Sequence, residues 1–265
     1  MKKISVAIAT FNEEENIGKC LKSVADWVDE IIVVDGKSID KSVEIAKKYK
    51  AKVIITDNPP IFHLNKQKAI DACSSEWILQ LDADEVVTDE LKDEITLTIN
   101  LNPTTDKSQP INGYWIPRKN FFLGKFLSKG GQYPDYSLRL YKRGKGRLPC
   151  KSVHEQTEVE GKVAYLKNPL LHYSYPDFSH YLLHFRRYTD IFAEELREQN
   201  MKIDLLQTIN YLFIKPISWF LKTYLRHKGF VDGFAGFVFS FFSALRFPVA
   251  YLKYVNNLRS KSIKQ

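Results

Sequence analysis

Four polar clusters each follow a short run of aliphatic and β-branched residues. They are Thr10-Phe11-Asn12-Glu13 after ISVAIA, Asp35 with Ser38 and Asp40 after EIIVV, Asp57-Asn58 after KVIIT, and Asp82-Ala83-Asp84-Glu85 after WILQL. In parallel α/β sheets ligands sit beyond the carboxyl ends of the strands, so these clusters are the first candidates for chemistry. Acids gathered at one sheet edge are costly unless cations or hydrogen-bond donors meet them. Asp82 and Asp84, one small residue apart directly after a buried run, can hold a single divalent metal through oxygen ligands, and such a metal would bridge a diphosphate. Two other ways of holding phosphate fail on spacing. Gly36-Lys37-Ser38 would need a glycine at position 31 to complete a P-loop, and Ile31 stands there. No GxGxxG follows the first run, so metal and cationic side chains must replace a glycine-rich cradle.

The elements that position these clusters follow from hydrophobic spacing. Residues 4–9, 30–34, 52–56 and 77–81 read as buried strands. Residues 13–28, with Ile17, Leu21, Val24 and Val28 at helical intervals, read as a helix, as do 38–50 and 64–74. Strands alternating with helices imply a mostly parallel sheet with right-handed crossovers. Beyond residue 100 the rhythm changes to a polar loop over 102–113, short strands and turns over 113–175, and an amphipathic helix over 178–200.

The chain of 265 residues has room for one large or two small domains. At 44% hydrophobic and 26% charged residues it is not a disordered, collagen-like or coiled-coil protein. Cys20, Cys73 and Cys150 form no CxxC pair, which speaks against a disulfide scaffold or zinc knuckle and for a reduced setting. Cys20 and Cys73 sit at apolar helical positions and read as core. The net charge of +8 lies wholly in residues 200–265, where 10 Lys and Arg face only Asp204 and Asp232. Phe230, Phe234, Phe237, Phe241 and Leu245 form one apolar stripe there. Lys222, Arg226, Lys228, Arg246, Lys253 and Arg259 flank it, so the tail reads as an in-plane membrane helix, with a helix packed on its own domain or on a dimer partner (a homo-oligomer) as the alternative. Phe239 and Phe242 lie off the stripe and make the helix apolar nearly all round. No secretory signal is expected, and no spanning segment, because the charge-free run 233–245 is short of the roughly 20 residues a span needs.

VAIATFNEEENI, IIVVDGKSIDKS, NKQKAI and EWILQLDADE, in this order over residues 4–94, resemble the inverting family 2 glycosyltransferases of GT-A fold. NFFLGKFLSKGGQYPDYSLRLYKR, VHE, LLHYSY and KGFVDGFAGF resemble the branch that includes bacterial lipopolysaccharide core glycosyltransferases. The resemblance implies an α/β GT-A domain, Rossmann-like with a mostly parallel central sheet and flanking helices, over residues 1–180. Its nucleotide-sugar-binding half is 1–100 and its acceptor half 101–180. A helical, basic, aromatic extension over 181–265 follows. Thr10, Phe11 and Glu13 would line a uridine pocket together with Asn12, and Asp35 would accept a hydrogen bond from the uracil ring. Lys66 would approach base or phosphates, Asp82 the ribose or metal, and Asp84 would ligate Mg2+ or Mn2+, with His172 as a late histidine reaching metal or diphosphate. Ser38 either contacts ligand or, with Asp40, caps the next helix. Arg139 either holds the diphosphate or forms a surface ion pair.

An inverting transfer needs a carboxylate to take the acceptor's proton. Glu155, next to His154 in VHE, is the preferred base, and Asp135, beside Gly130-Gly131, is the alternative. The expected enzyme moves a sugar from a UDP-sugar to a hydroxyl of a lipid-linked glycan such as the lipopolysaccharide inner core. It would be cytoplasmic, peripheral on the cytoplasmic face of the inner membrane, with an anionic membrane surface as partner and no nucleic acid. The rivals are a protein or peptide acceptor, a non-catalytic nucleotide-sugar-binding scaffold, and a nucleotidyltransferase, which would want a basic glycine-rich loop where TFNEEE stands.

Overall fold

The structure, a computed structural model, describes residues 3–101, 110–151, 156–175 and 177–262. The chain divides into two compact units, Met1–Lys119 with Asp135–Tyr173, and Asn120–Pro134 with Ser174–Gln265.

In the first unit the aliphatic runs form β1 (Ile4–Thr10), β2 (Glu30–Asp35), β3 (Lys52–Ile55) and β4 (Trp77–Asp82). They lie side by side in the order β3-β2-β1-β4, all parallel. The helices α1 (Ile17–Lys22), α2 (Ser42–Lys48) and α3 (His63–Asp71) connect them. The order reverses at β1: the chain first moves outward to β2 and β3, then returns to place β4 on the other side of β1. That reversal opens a crevice at the carboxyl ends of β1 and β4, the place where open α/β sheets bind ligands. Alternation along the strands serves both faces of the sheet. Val6, Ile8, Val33 and Leu79 enter one core cluster with α1, while Ala7, Ile32, Val34 and Ile78 enter another with α3.

The rest of the sheet is mostly antiparallel, which makes it mixed and GT-A-like. β8 (Asp135–Lys142) runs against β4, β6 (Ile111–Phe122) runs against β8 and against the short β7 (Lys125–Phe126), β11 (Lys162–Tyr165) runs parallel to β6, β12 (Leu170–His172) runs against β5 (Glu85–Val87), and β9 (Gly146–Arg147) pairs with β10 (Glu158–Val159). The sequence reading had no element at α4 (Asp89–Leu101), which buries Leu91, Ile95 and Ile99. Two of the expected helices start late: α1 begins at Ile17, after Asn12 at φ +55° and a turn over residues 13–16, and α2 begins at Ser42. Ser38 caps nothing, because α2 begins only at Ser42.

In the second unit α5 (Phe178–Glu198) is started by Asp177, whose carboxylate accepts from His180 N. A helical run follows from Leu205 to Arg226, with π-helical turns at Asn210–Ile214 and Leu221–Arg226. A 30-residue helix, here called α6 (Gly233–Ser262), closes the unit. Phe239 and Phe242 face inward against Phe122, Phe178, Tyr181 and Phe185, so α6 is apolar all round because one side packs on its own unit. Phe234, Phe237 and Phe241 stay 76%, 42% and 46% exposed. KGFVDGFAGF forms a tight turn into α6. The buried Asp232 there accepts from Ser128 N, Ser128 Oγ and Lys129 N at 2.8–3.0 Å. A Cβ on Gly236 would lie 1.9 Å from the Gly229 carbonyl oxygen, which requires glycine at that position. The expectation that no segment reaches spanning length is corrected. Residues Gly229–Leu258 are long and apolar enough by length and composition, with 39% of the most apolar window buried, because the helix continues through Arg246 and Pro248 where the charge-free run stopped. Lys253 does not flank an outer face, since its ammonium binds Asp190, Thr189 and the Arg186 carbonyl.

Candidate active site

Strand register brings three of the polar clusters together. Thr10 pairs with Asp35 across β1 and β2, and Ala9 pairs with Asp82 across β1 and β4, so the carboxyl ends of all three strands form one ledge. The fourth cluster is tied to the β2 loop, with Thr56 N donating to the Asp35 carbonyl and the exposed Asp57 held by Lys37 at 2.5 Å. Asp35 is fully buried and accepts from Ser38 N at 2.8 Å and Ser38 Oγ at 2.5 Å. Ser38 Oγ in turn accepts from Asn12 N, and Asn12 Oδ1 accepts from Ile39 N, which stitches the β1 loop to the β2 loop. The turn after Asn12 is tied in the same way, with Glu13 N donating to Ser42 Oγ and Glu14 N to Asp40. Phe11 stands 43% exposed at the end of β1.

The two acids of DAD have different surroundings. Asp82 faces cations, with Oδ1 ion-paired to Lys66 and Oδ2 2.5 Å from a terminal guanidinium nitrogen of Arg139. Burial would raise the Asp82 pKa, but the charges of Arg139 and Lys66 hold it well below the usual carboxylate range. Asp84 faces His172, with Oδ2 and Nε2 3.2 Å apart, and Tyr173 N donates to the Asp84 carbonyl. Burial would lower the His172 pKa, yet the hydrogen bond and charge of Asp84 lift it above the ordinary imidazole value. Glu13 is pushed up, chiefly by burial and also by the charges of Asp84, Asp40 and Asp82, against a hydrogen bond from Asn16 that lowers it.

Beneath this ledge lies an ion network that the sequence reading did not assign. Glu85 is fully buried. Its Oε2 accepts from Asp82 N at 2.9 Å, and its Oε1 meets the same Arg139 nitrogen at 2.7 Å and Arg118 at 3.4 Å. Arg118 reaches on to Asp135 Oδ2 at 2.7 Å and 3.2 Å, the two residues being register partners on β6 and β8. Arg139 is therefore a buried bridge and not a surface ion pair. The available signal was an arginine in the otherwise apolar run SLRLY, which needs an acid opposite it. Glu155 and His154 lie outside the described residues.

Among the described residues no three His, Cys, Asp or Glu side chains form a ready metal cage. Asp84 and His172 still fit a divalent ion. Mg2+ is characteristically held by one or two protein groups, with water and substrate phosphate completing its shell. Asp82 fits less well, since its charge is already met by two cations.

A parallel strand order that reverses at β1, a mostly antiparallel second half and an acid pair at the crevice define a glycosyltransferase of GT-A fold. The chain belongs to glycosyl transferase family 2, whose model matches residues 5–143. An uncharacterized glycosyltransferase of Rickettsia typhi is 30% identical, the match covering 100% of this chain and 89% of the relative. The lipopolysaccharide core biosynthesis glycosyltransferase LpsC of Rhizobium meliloti is 28% identical over 92% of this chain and 91% of its own. Among solved structures, residues 1–349 of S. aureus TarS superpose with a TM-score of 0.49 at 18% identity, covering 99% of this chain and 92% of that one.

Proposed function

We propose that the protein is a metal-dependent inverting glycosyltransferase that moves a sugar from a UDP-sugar to a hydroxyl of a membrane glycolipid such as the lipopolysaccharide inner core. The observation that carries the reading is the ledge itself. Buried Asp35, cation-paired Asp82 and histidine-paired Asp84 stand at three adjoining positions of the switch-point crevice. Asp35, with Thr10, Phe11, Asn12 and Glu13 beside it and Ser38 fixing its carboxylate, accepts a hydrogen bond from the base. Asp82 takes the ribose. Lys66, with its ammonium at Asp82 and above the Phe62 ring, is the cation within reach of the phosphates.

Asp84 and His172 would hold Mg2+ or Mn2+, which when bound neutralises the charge that builds on the departing diphosphate. The acceptor oxygen attacks the anomeric carbon opposite the diphosphate, the bond to phosphate breaks, and the configuration inverts. A carboxylate takes the acceptor's proton. Asp135 Oδ2 already accepts two hydrogen bonds from Arg118, so Asp135 serves as an anchor, and Glu155 with neighbouring His154 remains the preferred base. The full-length likeness to a lipopolysaccharide core enzyme supports a glycolipid acceptor. The exposed phenylalanines of α6, together with the basic residues 200–265, support an anionic membrane as partner, at the cytoplasmic face.

The test is isothermal titration with UDP and a panel of UDP-sugars, in Mn2+ and in EDTA. Metal-dependent binding, tighter for one sugar, is the expected result. Binding to no uridine nucleotide overturns the donor assignment.

A further inference from the structure

We infer that Glu85 is a positioning residue that sets donor affinity by holding Asp82 from two sides, and that Arg139 acts on the donor through Asp82 without touching it. The inference rests on the reading of the ledge as a nucleotide-sugar site. One oxygen of Glu85 fixes the Asp82 backbone at 2.9 Å, and the other fixes the Arg139 nitrogen that meets the Asp82 carboxylate. The Asp82 main chain and side chain are thus referred to one buried point.

Arg139 makes its two acid contacts through a single nitrogen, and its Nε is buried without a hydrogen-bond partner. With Asp82 and Glu85 on either side and only 5% of its surface exposed, it is a strut. Lys66 is the other cation on Asp82, on the opposite carboxylate oxygen from Arg139. Arg118 and Asp135 extend the network outward as a buttress for Glu85. The charges alternate along the series Lys66, Asp82, Arg139, Glu85, Arg118, Asp135, so that each buried charge has an opposite neighbour, the condition under which buried ions are tolerated. Removing the Glu85 charge leaves both guanidiniums facing Asp82 and Asp135 alone and releases the Asp82 backbone.

The test measures UDP affinity by titration in Mn2+ for the wild type, Glu85→Gln, Asp82→Asn and the double variant, each at a temperature where it is folded. Glu85→Gln should weaken UDP binding by about 10- to 100-fold, the range for outer partners that orient a ligating group. It should raise the donor KM with little change in the acceptor KM. In the Asp82→Asn background the same substitution should weaken UDP by much less than in the wild type, because the carboxylate through which Arg139 and Glu85 act is gone and only the backbone contact remains. A purely structural role for Glu85 would weaken binding equally in both backgrounds, and that result overturns the inference. So does a Glu85→Gln affinity within twofold of wild type. If Glu85→Gln does not fold, Arg118→Met, at the more exposed end of the network, carries the same cycle with the same criteria. A wild type that binds no UDP defeats the donor assignment itself and is told apart by that first titration.

Discussion

Asp82 and Asp84 are one residue apart, and their neighbours give them separate tasks. Asp82 is engaged by Lys66 and Arg139, whereas Asp84 meets only an imidazole among the ion pairs of the ledge. Asp84→Ala should therefore make UDP binding the same in Mn2+ and in EDTA, while thermal stability stays close to wild type. Asp82→Asn should instead lower stability, by up to about 3 kcal/mol, because it takes one acid from a buried guanidinium. Calorimetry and titration on the two variants separate these effects, and an Asp84→Ala protein that keeps full metal dependence defeats the ligand assignment. At the base, Glu155→Gln should cut turnover about 10²-fold or more with UDP affinity intact, whereas Asp135→Asn should change turnover only a few-fold. The opposite pattern would move the base to Asp135. Asp35, Asp82 and Asp84 stand out in the sequence as acids directly after aliphatic runs, whereas Lys66 and His172 are picked out only by the likeness of their surrounding motifs to family 2 glycosyltransferases. Glu85 stands in the same DADE run, but its partners Arg118 and Arg139 arrive on β6 and β8. Their register is a property of strand pairing that no local spacing reveals.

At the level of elements, the parallel half of the sheet follows from four aliphatic runs at βα spacing, and their order follows from the crossovers. Glu30, at the foot of β2, ties the opposite end of that sheet by accepting from Ser5 Oγ on β1 and from Ser74 N and Oγ just before β4. Burial alone would raise its pKa, but these hydrogen bonds bring it below the ordinary glutamate value. A carboxylate with a depressed folded pKa stabilises above its unfolded pKa and loses that contribution as pH falls through the folded value. Glu30→Gln should thus cost about 1 kcal/mol at pH 7, and the deficit should vanish as the pH falls below about 4, as followed by urea unfolding. Equal deficits at both pH values would remove the ionised form from the argument. In the second unit Gly236→Ala should cost more than about 2 kcal/mol, since the added carbon meets the Gly229 carbonyl at 1.9 Å and displaces the turn that holds Asp232. Gly18→Ala on α1, where the nearest atom is 3.6 Å away, should be neutral or stabilising. What the sequence hid here was loop chemistry. The loop that leads into the turn at residues 13–16 is tied by side chains of Ser38, Asp40 and Ser42, some 26 to 29 residues away, which accept from the backbone N–H groups of residues 12–14.

Across the whole molecule, charge and exposed apolar surface concentrate in the same segment. Residues 200–265 hold the entire excess of positive charge, and Asp232, one of the two acids there, is buried. Phe230, Val231 and Phe234 crown the start of α6 at 48%, 52% and 76% exposure. Their inward neighbours Ala235, Phe239 and Phe242 fill the unit's own core, and the outer three stand outside it, with Phe230 edge-on to Tyr224. Lys222, on the helical run before α6, and Arg246, on α6 itself, both stand above the ring of Trp219. This combination suits shallow insertion between anionic headgroups, with phenylalanine rings in the acyl boundary and basic side chains at the phosphates. Replacing Phe230, Val231 and Phe234 together by serine should leave thermal unfolding nearly unchanged. The same change should weaken binding to anionic liposomes at least about tenfold, since burying one such phenylalanine is worth about 1.5–3 kcal/mol. Raising NaCl should weaken wild-type binding through the cationic contribution and spare the apolar part. If the triple variant binds liposomes as the wild type does, the apolar crown is not what meets lipid. If instead the wild type ignores liposomes and its self-association is lost on the same substitution, the surface belongs to a second copy of the chain.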